Sequence, residues 1–178
     1  INSSTGALTV NNSAALDFEV NPSFALVIKV QDNGTGNLSS QATITVTLLN
    51  VNEVPVISNQ AFSINENLAN GSAVGTVVAS DPDAGQSLTY SILSGNTGSA
   101  FAINSSTGAL TVNNTAAVNF EVNPSFALVI KVQDNGTGNL SSQATITVSL
   151  LNVNEVPVIA NQAFSILENS PNGTVVGT

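Results

Sequence analysis

The sequence repeats itself at a fixed spacing of 102 residues. The stretch FEVNPSFALVIKVQDNGTGNLSSQATITV occurs at 18–46 and again at 120–148. When residues 1–76 are aligned with residues 103–178, 66 of the 76 positions are identical. Repetition on this scale indicates a tandem array of one domain type. We expect three parts: the C-terminal part of a repeat A (1–53), a complete repeat B (54–155) and the N-terminal strands of a repeat C (156–178).

Each repeat is predicted to be a β-sandwich. A period near a hundred residues is too long for one solenoid turn and suits separate domains with their own cores. Runs such as FALVIKV (24–30) and QATITVTLL (41–49) have strand length and many β-branched residues, and Gly- and Asn-rich turns separate them. About seven short strands per repeat predict an all-β, immunoglobulin-like Greek-key sandwich.

Two further structural expectations follow from residue types. Four Asn-Gly pairs are predicted to sit at turns that require a positive φ: 33–34, 70–71, 135–136 and 172–173. The aromatic residues are interpreted as core: Phe18, Phe24, Phe62, Tyr90, Phe101, Phe120, Phe126 and Phe164.

The charge composition narrows the possible partners. Only 7% of residues are charged, and eleven acidic residues against two lysines give a net charge of −9. Nucleic acid is therefore an unfavourable partner, whereas a cationic partner is favoured. No run of eighteen apolar residues exists, so we expect no direct insertion into a membrane. The absence of His excludes a Ser-His-Asp triad, and the absence of His and Cys argues against zinc or copper.

The acidic residues lie at strand ends, turns and repeat boundaries. The stretch LNVNEVPVI (49–57 and 151–159) places Glu53 and Glu155 between an apolar run and a Pro. Two carboxylates about 4 Å apart repel by roughly 1 kcal/mol in water, and by several times more near a protein surface. A cluster of carboxylates therefore needs a counterion, and carboxylate, amide and carbonyl oxygens suit Ca²⁺.

Five motifs in order resemble a cadherin repeat, in the version common in bacterial extracellular proteins. They are LDFE (16–19), INEN (64–67), SDPDAG (80–85), FAINSSTGAL (101–110), and VQDNG (132–136) followed by NVNEVP (152–157). The resemblance implies that calcium binds between successive repeats. It also implies that the ligands come from the upper repeat, the linker and the lower repeat.

The resemblance assigns ligands to each junction. For the A–B junction it implies Asp17, Glu19, Asn50, Asn52, Glu53, Asp81, Asp83 and Asp134. For the B–C junction it implies Glu66, Asn119, Glu121, Asn152, Asn154 and Glu155. Asp32 is expected to serve the junction before repeat A, and Glu168 the junction after repeat C.

The chain departs from the family pattern in three ways. Its linker is one residue shorter than the animal form, Asn50 stands where Asp is usual, and Asn119 replaces an acid. We expect two calcium ions per junction, with a third left open, and a weaker B–C site because Asn119 is neutral.

The expected function is that of a calcium-stiffened structural or adhesive array at the cell surface, without enzymatic activity. Neighbouring repeats, or identical subunits joined head to tail in a filament, are the expected partners, because the sequence starts and stops inside repeats. Two alternatives stay open: a recognition module for a glycan or protein, and a spacer within a large surface enzyme. A glycan platform would need an exposed aromatic side chain, and Tyr90 is the candidate.

Overall fold

The computed structural model describes all of residues 1–178, which form eleven β-strands and no α-helix. The strands are β1 (Ser23–Gln31), β2 (Ser39–Thr47), β3 (Val56–Ile57), β4 (Gln60–Asn65), β5 (Ala73–Thr76), β6 (Ala79–Ser80), β7 (Thr89–Ser94), β8 (Phe101–Ile103), β9 (Ala109–Val112), β10 (Ser125–Gln133) and β11 (Ser141–Leu151). Three 3-10 turns cover Ser13–Ala15, Thr97–Ser99 and Thr115–Ala117. No helix has the length and apolar character needed to cross a bilayer.

Strands β3–β11 build a sandwich within repeat B. The larger sheet has the order β4-β11-β10-β7, and the facing sheet has the order β5-β9-β8. Strand β10 is antiparallel to both of its neighbours, whereas β4 joins β11 in parallel. The two-residue strands β3 and β6 pair at one edge. Counting β3 with β4 and β5 with β6 gives seven strands, so the all-β sandwich prediction is confirmed.

The core lies between these sheets. Leu128 and Ile130 of β10 and Ile146 of β11 are fully buried, as are Leu110 and Val112 of β9. These positions alternate along each strand because successive side chains point to opposite faces. Phe101 and Phe126 meet edge to face with their ring centroids 5.0 Å apart, an arrangement that aromatic pairs favour.

Repeat A repeats the same hairpin without the same burial. Strands β1 and β2 pair in the register of β10 and β11, offset by 102 residues. Yet Val30 is 65% exposed, whereas its counterpart Val132 is fully buried. The difference arises because β10 lies between β11 and β7 in a sandwich, whereas β1 pairs with β2 alone and residues 1–22 contain no strand.

The opening strands predicted for repeat C are not formed. Residues 152–178 contain no strand, and Phe164, interpreted as core, is 53% exposed. In repeat B the matching segments are held by β11 and β9. Residues 156–178 have no such partners in the chain, and a strand needs a neighbour to satisfy its backbone groups.

The predicted positive φ is confirmed at only two of the four Asn-Gly pairs. Gly71 and Gly173 both have φ of 86°, but Gly34 and Gly136 do not lie in the left-handed region. At the turns that contain Gly34 and Gly136, residues 36–37 and 138–139 adopt the positive φ instead. The φ of Gly136 therefore does not explain why a glycine occupies this position, and the explanation lies in the side chains close to it.

Candidate metal centre at the linkers

A buried carboxylate anchors the second linker (residues 152–155) to repeat B. Glu66 follows β4 and is only 2% exposed. Its two carboxylate oxygens accept hydrogen bonds from the backbone N–H groups of Phe120 (2.7 Å) and Val153 (2.8 Å). These two bonds hold the pKa of Glu66 below its usual 4.5 against the opposing effect of burial.

Three carboxylates converge at this linker. One oxygen each from Glu66, Glu121 and Glu155 lies within 4.8 Å of the other two. Asn152 donates to Glu121 (2.9 Å) and Asn67 donates to Glu155 (2.6 Å). These amides compensate only part of three negative charges, so the group fits a hard cation that takes oxygen ligands.

The first linker (residues 50–53) binds the opposite end of repeat B through Asp83. This carboxylate is 3% exposed and accepts from the side chain of Asn50 (2.8 Å) and the backbone N–H of Glu53 (2.9 Å). The Asp83 N–H in turn donates to Asp81 (2.9 Å), which fixes the SDPDAG turn. The linker therefore docks on the acidic turn predicted to face it.

Asp134 holds the same linker from a second turn. It is 4% exposed and accepts from the side chain of Asn52 (3.1 Å). Its other oxygen accepts from the N–H groups of Gly136 and Leu140, both at 3.0 Å. Gln86 also contacts this linker, because its side-chain N–H donates to the side-chain oxygen of Asn52 (2.6 Å).

The charges at the first linker are also uncompensated. Reduced contact with water raises the pKa of Glu53, and the negative charges of Glu19, Asp17, Asp83 and Asp81 raise it further. One oxygen of Asp81 and the carbonyl oxygen of Gln86 are buried without a hydrogen-bond donor. Buried acceptors of this kind need a partner, and these oxygens are suitable ligands for a calcium ion.

Asp17 and Asn119 occupy the same turn in the two upper repeats. Asp17 accepts from the N–H of Val20 (2.8 Å), and Asn119 accepts from the N–H of Val122 (2.9 Å). Both residues therefore cap a turn with one oxygen. Asp17 keeps a second carboxylate oxygen, whereas the other end of Asn119 is an amide N–H₂ group, which cannot be a metal ligand.

The remaining predicted ligands take no part in these hydrogen bonds. Asp32 caps its own turn by accepting from Gly34 (3.2 Å) and Leu38 (3.0 Å), as Asp134 does in repeat B. Asn154 and Glu168 are exposed and make no side-chain hydrogen bond.

Sequence reasoning missed Asn67 and Gln86. Asn67 directly follows the predicted ligand Glu66, and its positive φ of 60° was not visible in the pattern. Gln86 lies in a part of the repeat that occurs only once in the chain, so repetition did not mark it.

Known proteins match both the sequence and the fold. Residues 60–151 match the family model described as Cadherin domain. The sequence is 35% identical to Protocadherin Fat 4 of Homo sapiens over 99% of this chain and 4% of that protein. It is 34% identical to Protocadherin Fat 2 of Rattus norvegicus over 97% of this chain and 4% of that protein. The structure titled Protocadherin Gamma B2 extracellular cadherin domains 1-5 gives a TM-score of 0.64 at 28% identity, covering 78% of this chain and 28% of that one.

The chain belongs to the cadherin family, because the family model covers more than half of it. It consists of tandem extracellular cadherin repeats, a non-enzymatic module that typically binds calcium at the linkers between repeats. The expectations of a cell-surface location and of no enzymatic activity are thereby confirmed. The chain spans about 4% of the length of these protocadherins, which are animal proteins.

Proposed function

We propose that this chain is a stretch of a structural or adhesive cell-surface array whose linkers are stiffened by calcium. The observation that carries the proposal is the convergence of Glu66, Glu121 and Glu155 where the second linker leaves repeat B. Without a counterion, the repulsion between these carboxylates opposes docking of the linker. Bound calcium would supply the positive charge that offsets it, so metal binding and linker order are coupled.

Each junction has its own proposed ligands. At the first linker they are Asp17, Glu19, Asn50, Asn52, Glu53, Asp81, Asp83 and Asp134. At the second linker they are Glu66, Asn119, Glu121, Asn152, Asn154 and Glu155. We propose two calcium ions per complete junction. The buried oxygen of Asp81 that has no hydrogen-bond donor supports cation binding at the first linker.

The proposed domain boundaries are 1–53, 54–155 and 156–178. The identical linkers at the ends of repeat B support them, since each linker contacts repeat B from a different side. We also propose that the repeat is of the bacterial type, because its linker is short and carries Asn50 in place of an acid. Neighbouring repeats are the proposed partners in the array.

The glycan-recognition alternative requires an exposed aromatic side chain, and Tyr90 does not provide one. Tyr90 is half-buried and packs against the core of repeat B. A sugar platform requires an open aromatic face, and no residue of the sandwich offers one comparable to an exposed Tyr or Trp. We therefore favour the mechanical role.

The proposal is tested by calcium titration combined with small-angle scattering of the whole chain. We expect saturable calcium binding and a longer, stiffer particle in millimolar calcium than in chelator. Glu121→Gln should weaken binding, whereas the control Glu168→Gln, at an exposed residue without hydrogen bonds, should not. Scattering that is identical with calcium and with chelator would overturn the proposal.

A further inference from the structure

One linker residue is held between two loops of repeat B by its side-chain amide. The side-chain oxygen of Asn52 accepts from the side-chain N–H of Gln86 (2.6 Å), and the side-chain N–H₂ group of Asn52 donates to Asp134 (3.1 Å). Both ends of the amide therefore have protein partners. The contact is part-buried, so water competes for it less than it would at the surface.

The two loops are joined to each other at the same place. The N–H of Ser87 donates to the side-chain oxygen of Asn135 (2.9 Å), which links the loop of Gln86 to the loop of Asp134. Strands β7 and β10 also pair as far as Thr89 and Gln133, so the two loops leave the sheet side by side, and one Asn side chain spans from Gln86 to Asp134. A rigid pair of loops loses little freedom when it binds the linker.

Gly136 explains how the linker comes so close. A Cβ at this position would overlap the Asn52 side-chain oxygen and collide with that of Gln86. The φ of Gly136 does not require glycine, so the requirement is for space. The repeat A counterpart Gly34 has no such neighbour, because a Cβ there would meet only its own Asp32 at an ordinary 3.7 Å.

We propose that Gln86 is a positioning residue that keeps the first linker docked on repeat B without metal. Its bond to Asn52 joins two neutral amides, so no cation is needed to neutralise either partner. The other linker contacts end on carboxylates that are also proposed calcium ligands. In the metal-free chain the linker therefore moves with repeat B, and bending occurs between the end of β2 at Thr47 and Asn50.

This role of Gln86 belongs to the metal-free state of the proposed calcium junction, and it is tested in chelator on the whole chain. Two signals report on the docked linker: the exchange protection of the Glu53 amide, which donates to Asp83, and the NMR signals of the Asn52 side-chain amide. In the wild type we expect the Glu53 amide to stay protected. Gln86→Ala should lower this protection about fivefold, the effect of losing one hydrogen bond.

Two controls separate positioning from general loss of structure. Gln143→Ala removes an exposed Gln of β11 that makes no side-chain hydrogen bond, and should change neither signal. Gly136→Ala should displace Asn52 as strongly as Gln86→Ala or more, while Gly34→Ala, in the identical turn sequence of repeat A, should not. An equal response of the two glycine variants would contradict the inference.

A double-mutant cycle shows whether Gln86 acts through Asn52. In the Asn52→Ala background, Gln86→Ala should have no further effect on Glu53 protection. Additive effects would contradict the inference, as would a Gln86→Ala variant that loses only calcium affinity and keeps both signals in chelator. If calcium alters neither scattering nor exchange but Gln86→Ala still releases the linker, the positioning role of Gln86 stands and the proposed calcium function fails.

Discussion

The two linkers have the same sequence but make different bonds. Asn50 donates to Asp83 of the repeat below it, whereas its counterpart Asn152 donates to Glu121 of the repeat above it. The linker residues are thus donors that bind whichever carboxylate lies nearby. At the first linker both kinds of carboxylate are present, and Asn50 donates to the lower one, Asp83, rather than to Glu19, the counterpart of Glu121, so the two carboxylates are in competition for one amide. A calcium ion shared between those carboxylates would remove the competition.

The second linker depends on one buried carboxylate. Glu66→Ala should release Val153 and leave two backbone N–H groups without their acceptor. We therefore expect it to lower the stability of the chain more than the other predicted substitutions do. We expect the melting temperature of the chain in chelator to fall by several degrees. The matched change Glu168→Ala removes the repeat C counterpart, which is exposed and unbonded, and should leave the melting temperature unchanged. Equal effects of the two variants would show that Glu66 does not anchor the linker.

The turn residue of the upper repeat should tune calcium affinity in opposite directions. Asn119→Asp gives the second linker the second carboxylate oxygen that Asp17 has at the first, so calcium affinity there should rise by about three- to tenfold. Asp17→Asn should lower affinity at the first linker. Titration of each variant against the wild type measures the change. An unaltered Asn119→Asp affinity would mean that this turn supplies no ligand.

Acid should affect the two linkers in opposite senses when calcium is absent. The pKa of Glu66 is lowered, so its contribution to stability is present above the usual 4.5 and is lost as pH falls through the lower folded value. The pKa of Glu53 is raised, so protonation favours the folded state below the usual 4.5, and this advantage is lost as pH rises through the raised folded value.

Amide exchange measured in chelator from pH 6 downward tests this difference. After correction for intrinsic exchange, the Val153 amide should lose protection as the pH falls through the lowered pKa of folded Glu66, which lies below the usual 4.5. The Glu53 side chain should titrate above 4.5 in side-chain NMR. Titration of both groups at the same pH would contradict the prediction.

The sequence by itself determined the repeat, the all-β class and the position of the acids at the linkers. Hydrophobic alternation and turn residues are local properties, so strands such as β10 could be predicted from their own residues. The carboxylates were predictable as a group because their charges are too costly to cluster without a purpose. Asp83, Asp134 and Glu66 are accordingly the buried acidic residues of repeat B.

Only the tertiary structure decided how identical sequences differ. Val30 and Val132 belong to the same nine-residue strand sequence, yet only Val132 is buried, because burial depends on the strands that surround it: β10 lies between β11 and β7, whereas β1 pairs with β2 alone. Gly136 was expected to relieve a positive φ but instead admits the Asn52 side chain, a contact 84 positions away along the chain. Gln86 gained its role in the same way. Contacts between distant segments leave no periodic pattern in the sequence, since they arise only once the two loops and the linker have been brought together.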